Sequence, residues 1–130
     1  MKIEGNVLVV DDDRKVYEQI CRYLEHDRCM VEYASNLEEA EQKMRQDHYD
    51  VVFLDLVLPK YSGLEVLEDI REKMRKMPEI ILMTAYDAKE LEKQALDMGA
   101  FAVMHKPLDE LRIQVIVEDY LKYKRKHAGE

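Results

Sequence analysis

Apolar residues along the chain fall into two alternating patterns. Short runs, NVLVV at 6–10, CMVEYA at 29–34, DVVFLD at 50–55, EIILMT at 79–84 and AFAVMH at 100–105, have the length and branched content of buried strands. The longer segments between them place apolar residues on one helix face: Val16, Ile20 and Leu24; Leu37, Ala40 and Met44; Leu64, Leu67, Ile70 and Met74; Leu91, Ala95 and Met98. Strands alternating with one-faced helices are the pattern of repeated βα units around a parallel sheet. Ser35 with Glu38 has the spacing of a capping box, and Asp87 and Asp109 are placed to cap the segments after them. The last segment is mixed, because Leu111, Ile113, Val115 and Val117 alternate at period two; its length and its Asp109 cap predict a helix. The pattern predicts an α/β fold, doubly wound, with a five-stranded parallel sheet and five helices on its two faces.

Composition narrows the class. The 130 residues suit a single domain, with a core over about 5–122 and a basic tail at 123–130. At 47% hydrophobic and 37% charged, with no low-complexity tract, the chain has the make-up of a folded domain. No apolar segment is long enough to cross a bilayer and the first residues show no signal-peptide pattern, so no membrane partner and a cytoplasmic location are expected. Cys21 and Cys29 have neither metal-ligand spacing nor a second pair, which predicts free thiols. The net charge of −8 argues against direct nucleic-acid binding, and the run KYKRKH reads as a solvated last helical turn.

Chemistry gathers at the ends of the apolar runs. Asp11, Asp12 and Asp13 follow the first, Asp55 closes the third, Thr84 the fourth, and Lys106 follows the fifth. Ligands of parallel α/β sheets bind beyond the carboxyl ends of the strands. Carboxylates crowded there repel: two unit charges about 5 Å apart at an effective dielectric near 20 cost roughly 3 kcal/mol. Such a cluster calls for a cation, and hard oxygen ligands select a hard one such as Mg²⁺. Each residue alone has a plainer reading, DDD as a capping turn, Thr84 as a strand former and Lys106 as a solvated lysine. Their joint occurrence on four run-ends outweighs those readings.

In order and spacing, VLVVDDD, FLDLVLPKYSG, MTA and HKPL resemble the receiver domain of bacterial two-component response regulators, over about residues 5–122. The resemblance implies a flavodoxin-like sheet of order 2-1-3-4-5 and a signalling domain that accepts a phosphoryl group and is not otherwise an enzyme. It implies that Asp55 is the phosphorylation site, that Asp12, with Asp11 assisting, Asp55 and the backbone carbonyl of Val57 hold Mg²⁺ or Mn²⁺, and that Lys106 and Thr84 contact the phosphoryl oxygens. Pro59 and Gly63 match the turn after the phosphorylated strand, Ala85 a small residue beside Thr84, and Pro107 the proline of a cis Lys106–Pro107 bond. Implied partners are a sensor histidine kinase or phosphotransfer protein, and a homodimer through the fourth helix, fifth strand and fifth helix, about 89–122.

One position departs from the family. Receivers commonly carry Tyr or Phe three residues before the lysine, where Val103 stands here; Phe101 lies two residues earlier, on the same side by strand alternation. Val57 and Tyr86 flank the approach of an attacking water and cannot orient it as an acid or amide would, which predicts slow self-dephosphorylation. Three other readings fit these residues less well. A dehalogenase-like phosphatase would use Asp11 and Asp13, but Lys15 stands where that family has Thr or Val and no cap domain fits the length. A flavodoxin-like cofactor binder lacks its phosphate loop. A phosphorylation-independent pseudo-receiver would have lost site residues, and all five remain. His26, His48, His105 and His127 lack ligand pairing, the Met residues read as core filler, and Tyr17, Tyr23 and Tyr120 as core edges.

Overall fold

The computed structural model describes residues 2–85 and 89–128, so the expected cap Asp87 and the flanking Tyr86 lie outside the described residues. The five apolar runs form β1 (Gly5–Val10), β2 (Cys29–Ala34), β3 (Val51–Asp55), β6 (Glu79–Thr84) and β7 (Ala102–His105), all parallel. A two-stranded antiparallel hairpin, β4 (Val57–Leu58) and β5 (Tyr61–Ser62), follows β3 directly. The main sheet has the order β2-β1-β3-β6-β7, the expected 2-1-3-4-5 once the hairpin strands are set aside.

Helices α1 (Arg14–Tyr23) and α5 (Glu110–Lys126) pack on one face, over Val7, Val9, Phe53, Ile81 and Met104. Helices α2 (Leu37–Gln46), α3 (Gly63–Lys73) and α4 (Lys89–Asp97) cover the other, over Leu8, Val10, Leu54, Ile80 and Leu82. The alternation of the central strands divides their side chains between these two cores, which is why β1 and β3 read as unbroken apolar runs. Met83 and Met104 are core side chains, Tyr17, Tyr23 and Tyr120 edge the first core, and both cysteines are free. No described helix is long and apolar enough to cross a membrane.

Helix starts follow local chemistry, with one shift. Asp13 caps α1 and Asp109 caps α5, accepting from the N–H groups of Lys15 and Arg112. The box expected of Ser35 and Glu38 is displaced by one residue: Asn36 is the cap, accepting from the Glu39 N–H, and Glu39 reaches back to the Ser35 N–H at 2.9 Å. Asn competes fully with Ser as a cap, and with Asn36 in that place Glu39 reaches both the N–H and the hydroxyl of Ser35, the residue before the cap. Helix α5 also runs through the expected tail as far as Lys126. Its apparent period-two alternation merges two stripes: Ile113, Val117 and Leu121 are buried, while Leu111 and Val115 are exposed.

Candidate functional site

Strands β1 and β3 pair in register from Val7 opposite Val51 to Val10 opposite Leu54, so Asp11 and Asp55 leave adjacent strands at the same height. Asp11 is 0% exposed and Asp55 is 6% exposed. Suitable oxygens of Asp11, Asp12 and Asp55 all lie within 4.8 Å of one another, with Asp12 facing solvent. The carboxylates expected to converge do so because the crossover places strands one and three side by side.

Lys106 enters from the end of β7. Its Nζ donates to Asp11 Oδ2 at 2.7 Å and to Asp55 Oδ2 at 3.4 Å, one ammonium between two buried carboxylates. The Lys106 N–H donates to the Thr84 carbonyl at 2.7 Å, and the Lys106–Pro107 bond is cis, as the resemblance implies. Thr84 closes β6 and is buried. Burial pulls the lysine's pKa down, but the hydrogen bond it donates to Asp11 and the charges of Asp55 and Asp11 outweigh burial and leave it raised. For Asp55 burial is the largest cause and acts upward, with the charge of Asp11 added. The Val57 N–H and Lys106 oppose this incompletely, so the carboxyl stays above its ordinary range.

The hairpin after β3 sets the site's rim. The Val57 N–H donates to Asp55 Oδ1 at 3.1 Å. Leu58 pairs with Tyr61, leaving Pro59 and Lys60 as a two-residue turn. Pro suits the first turn position, and Lys60, at φ 70, occupies a left-handed conformation that favours glycine. Gly63 is needed for close packing and not for a positive φ. A Cβ there would sit 2.7 Å from both the Asp55 carbonyl oxygen and the Leu56 Cα, so the glycine lets α3 begin against the strand end. Its N–H donates to the Leu56 carbonyl at 2.5 Å, and Ser62 caps the helix through the Glu65 N–H.

Other expected residues fall around this centre. Ala85 is exposed beside Thr84, and Val57 is 55% exposed at the rim. Val103 is buried and lines, with Leu56, Thr84, Leu91 and His105, a crevice of about 10 Å³, room for at most one water and none for an aromatic ring. Phe101 lies ahead of β7 and is 54% exposed, so the alternation that would align it with Val103 does not extend to it. The plainer reading of DDD as a capping turn holds for Asp13, and one contributor, Lys60, was not expected. Asp13 caps α1 while its own N–H holds Asp11 Oδ1 at 2.8 Å, and Lys60 flanks Asp12 in a surface cleft with Ser35 and Asn36. PK in a tight turn carries no signal for Lys60.

The donor set suits a hard divalent cation. Asp11, Asp12 and Asp55 each offer an oxygen within 4.8 Å of the others, and carboxylate oxygens are the ligands such an ion takes. Asp12, open to solvent, leaves room for the waters such an ion retains.

Comparison with known proteins adds independent findings. The family model for the response regulator receiver domain matches residues 7–118. The chain is 32% identical over 119 residues to the transcriptional regulatory protein ResD of Bacillus subtilis, covering 92% of this chain and 49% of that one. It is 38% identical over 107 residues to the response regulator MprA of Mycolicibacterium vanbaalenii, covering 81% of this chain and 46% of the relative. It thus spans about half the length of these curated relatives. Among solved structures, the CheY-like response regulator receiver domain protein of Methanospirillum hungatei superposes with a TM-score of 0.83 at 26% identity, covering 95% of this chain and 98% of that one.

Proposed function

Because the chain belongs to the response regulator receiver family, we propose that Asp55 accepts a phosphoryl group from a phosphohistidine of a sensor histidine kinase or phosphotransfer protein. The observation that carries this reading is the meeting of two buried carboxylates, Asp11 and Asp55, on one lysine ammonium at the carboxyl end of the sheet. Asp55 Oδ1 is held by the Val57 N–H, while Oδ2 has, among the described residues, the long contact to Lys106, which makes Oδ2 the attacking atom. A P–O bond forms to Oδ2 as the P–N bond breaks, and the donor imidazole keeps the electron pair.

Asp11, Asp12, Asp55 and the Val57 carbonyl would hold Mg²⁺, or Mn²⁺ in its place, which supplies positive charge to the transferring oxygens. Lys106 pairs with a phosphoryl oxygen once Asp55 is esterified, and the Thr84 hydroxyl donates to another. Incubation with acetyl phosphate followed by intact-protein mass measurement tests the proposal. The expected result is a Mg²⁺-dependent gain of one phosphoryl group that is absent in Asp55→Asn. No gain with any donor would make the chain a pseudo-receiver.

Residues 1–130 act as one receiver module, in the cytoplasm, with the net charge of −8 opposing direct nucleic-acid contact. Esterification of Asp55 favours one of two conformations of the face built from α4, β7 and α5. Leu96, Phe101, Leu111 and Val115 are large apolar side chains exposed on those elements or just ahead of β7, which supports a homodimer there. Light scattering with and without a phosphoryl mimic reads this, and an unchanged monomer mass at high concentration contradicts it. Exposed Val57 gives an attacking water no acid or base, which supports slow self-dephosphorylation.

A further inference from the structure

A groove of about 540 Å³ lies between the C-terminal halves of α2 and α3, a size that suits peptide side chains or a small ligand. Helices that cross back between parallel strands run against them, so these C-termini lie at the end of the sheet opposite Asp55. The groove therefore takes no part in the phosphoryl chemistry. Ile70 is buried at its floor, and Met44 and Met74 are partly buried on the same core. Methionine side chains are flexible and polarizable, and adapt to varied apolar groups.

Charge around the groove runs against that of the molecule. Arg45, Lys73, Arg75 and Lys76 line it against Glu41 and Asp69, in a chain of net charge −8. Lys73 stands 2.9 Å from Asp69 and 4.0 Å from Glu41, and Arg45 is 4.0 Å from Glu41. Lys73 thus stands between both acids of the groove, and the neighbouring Asp69 raises the pKa of Glu41. Arg75 and Lys76 are exposed, and neither is held by a carboxylate among the described residues. The unpaired charge among the described residues is cationic, on Arg75 and Lys76 just beyond α3, and Arg45 on α2, with only a 4.0 Å contact to Glu41, adds positive charge on the other side of the apolar floor. Anions spaced along a chain satisfy that layout better than one compact headgroup.

We propose that the α2–α3 groove docks an acidic amphipathic peptide segment of a protein partner, with an apolar side chain between Met44 and Met74 and carboxylates on Arg45, Arg75 and Lys76. Docking of this kind reads out independently of Asp55. The test follows the methyl resonances of Met44 and Met74 while a synthetic helical peptide of Leu, Ala and Glu is added, beside a counterpart with Lys for Glu. The acidic peptide should shift both methyls saturably, in wild type and in Asp55→Asn alike. Its Kd should weaken by about tenfold or more in the double variant Arg75→Glu, Lys76→Glu, and likewise in Arg45→Glu on the facing helix. Still methyls, equal shifts with the basic peptide, or charge reversals that leave the Kd unchanged would overturn the proposal. Shifts produced by decanoate but not by the peptide would also overturn it, assigning the groove to a small amphiphile.

Discussion

Asp50, which enters β3, and Asp55, which closes it, are both nearly buried, at 2% and 6% exposed, yet their surroundings push them in opposite directions. Asp50 accepts from the Asn6 N–H at 2.9 Å, from Lys124 Nζ at 3.2 Å and from the Tyr120 hydroxyl at 3.2 Å, with His48 Nε2 at 3.4 Å. Burial raises its pKa, but those donors outweigh burial and leave it lowered. Asp55 has one backbone N–H, a long contact to Lys106 and the charge of Asp11 beside it, and is raised. One strand thus carries a satisfied carboxylate that ties α5 to β1 and an under-satisfied one with lone pairs left for chemistry.

The sharpest way to break this comparison is to exchange each aspartate. Asp55→Asn should abolish phosphoryl acceptance from acetyl phosphate, by at least about a hundredfold in intact-mass kinetics, without lowering thermal stability. Lys106→Met should slow acceptance by about a hundredfold, as expected for removal of a preorganised cation. Asp50→Ala should cost about 3 kcal/mol in urea unfolding, because it strands the Asn6 N–H and Lys124, while phosphorylation persists. Gly63→Ala should cost about 2 kcal/mol and slow acceptance, since the added methyl meets backbone of the strand end that carries Asp55. The smallest change is Lys60→Gly, which should stabilise by about 0.5 kcal/mol by removing a left-handed non-glycine residue.

pH separates the two aspartates by sign. A lowered folded-state pKa means that Asp50 contributes stability above the ordinary value of about 4, lost as pH falls through the folded value. The stability gap between wild type and Asp50→Ala should therefore hold at neutral pH and close in acid. Asp55 behaves oppositely: the folded protein takes up its proton first as pH falls, so this group opposes folding at neutral pH and ceases to do so in mild acid. That sign belongs to the metal-free protein: a divalent cation held by Asp55 would favour the ionised carboxylate, so added Mg²⁺ should shift this effect to lower pH.

Strands and helices were legible because both core faces leave periodic marks in the chain, and the site was legible because its residues sit on strand ends. Asp50 was not, since an acid before an apolar run looks the same whether solvated or tied to Lys124 and Tyr120 seventy or more positions away. The close approach at Gly63 and the hairpin at 57–62 depend on backbone geometry that leaves no periodicity. The shift from Ser35 to Asn36 shows that adjacent cap formers compete on terms a spacing rule does not rank. The cations at the α2–α3 groove were hidden because RKM at 75–77 follows alternating charges in α3 that read as a solvated face.

Where the phosphoryl group resides is the most direct question. Borohydride converts an aspartyl phosphate to homoserine, so reduction after reaction with acetyl phosphate and Mg²⁺, followed by peptide mass mapping, marks the acceptor. Homoserine at position 55, with Asp11, Asp12 and Asp50 unmodified, is the predicted result. Homoserine at any of those three, or at none, would contradict the assignment of the under-satisfied carboxylate as the acceptor.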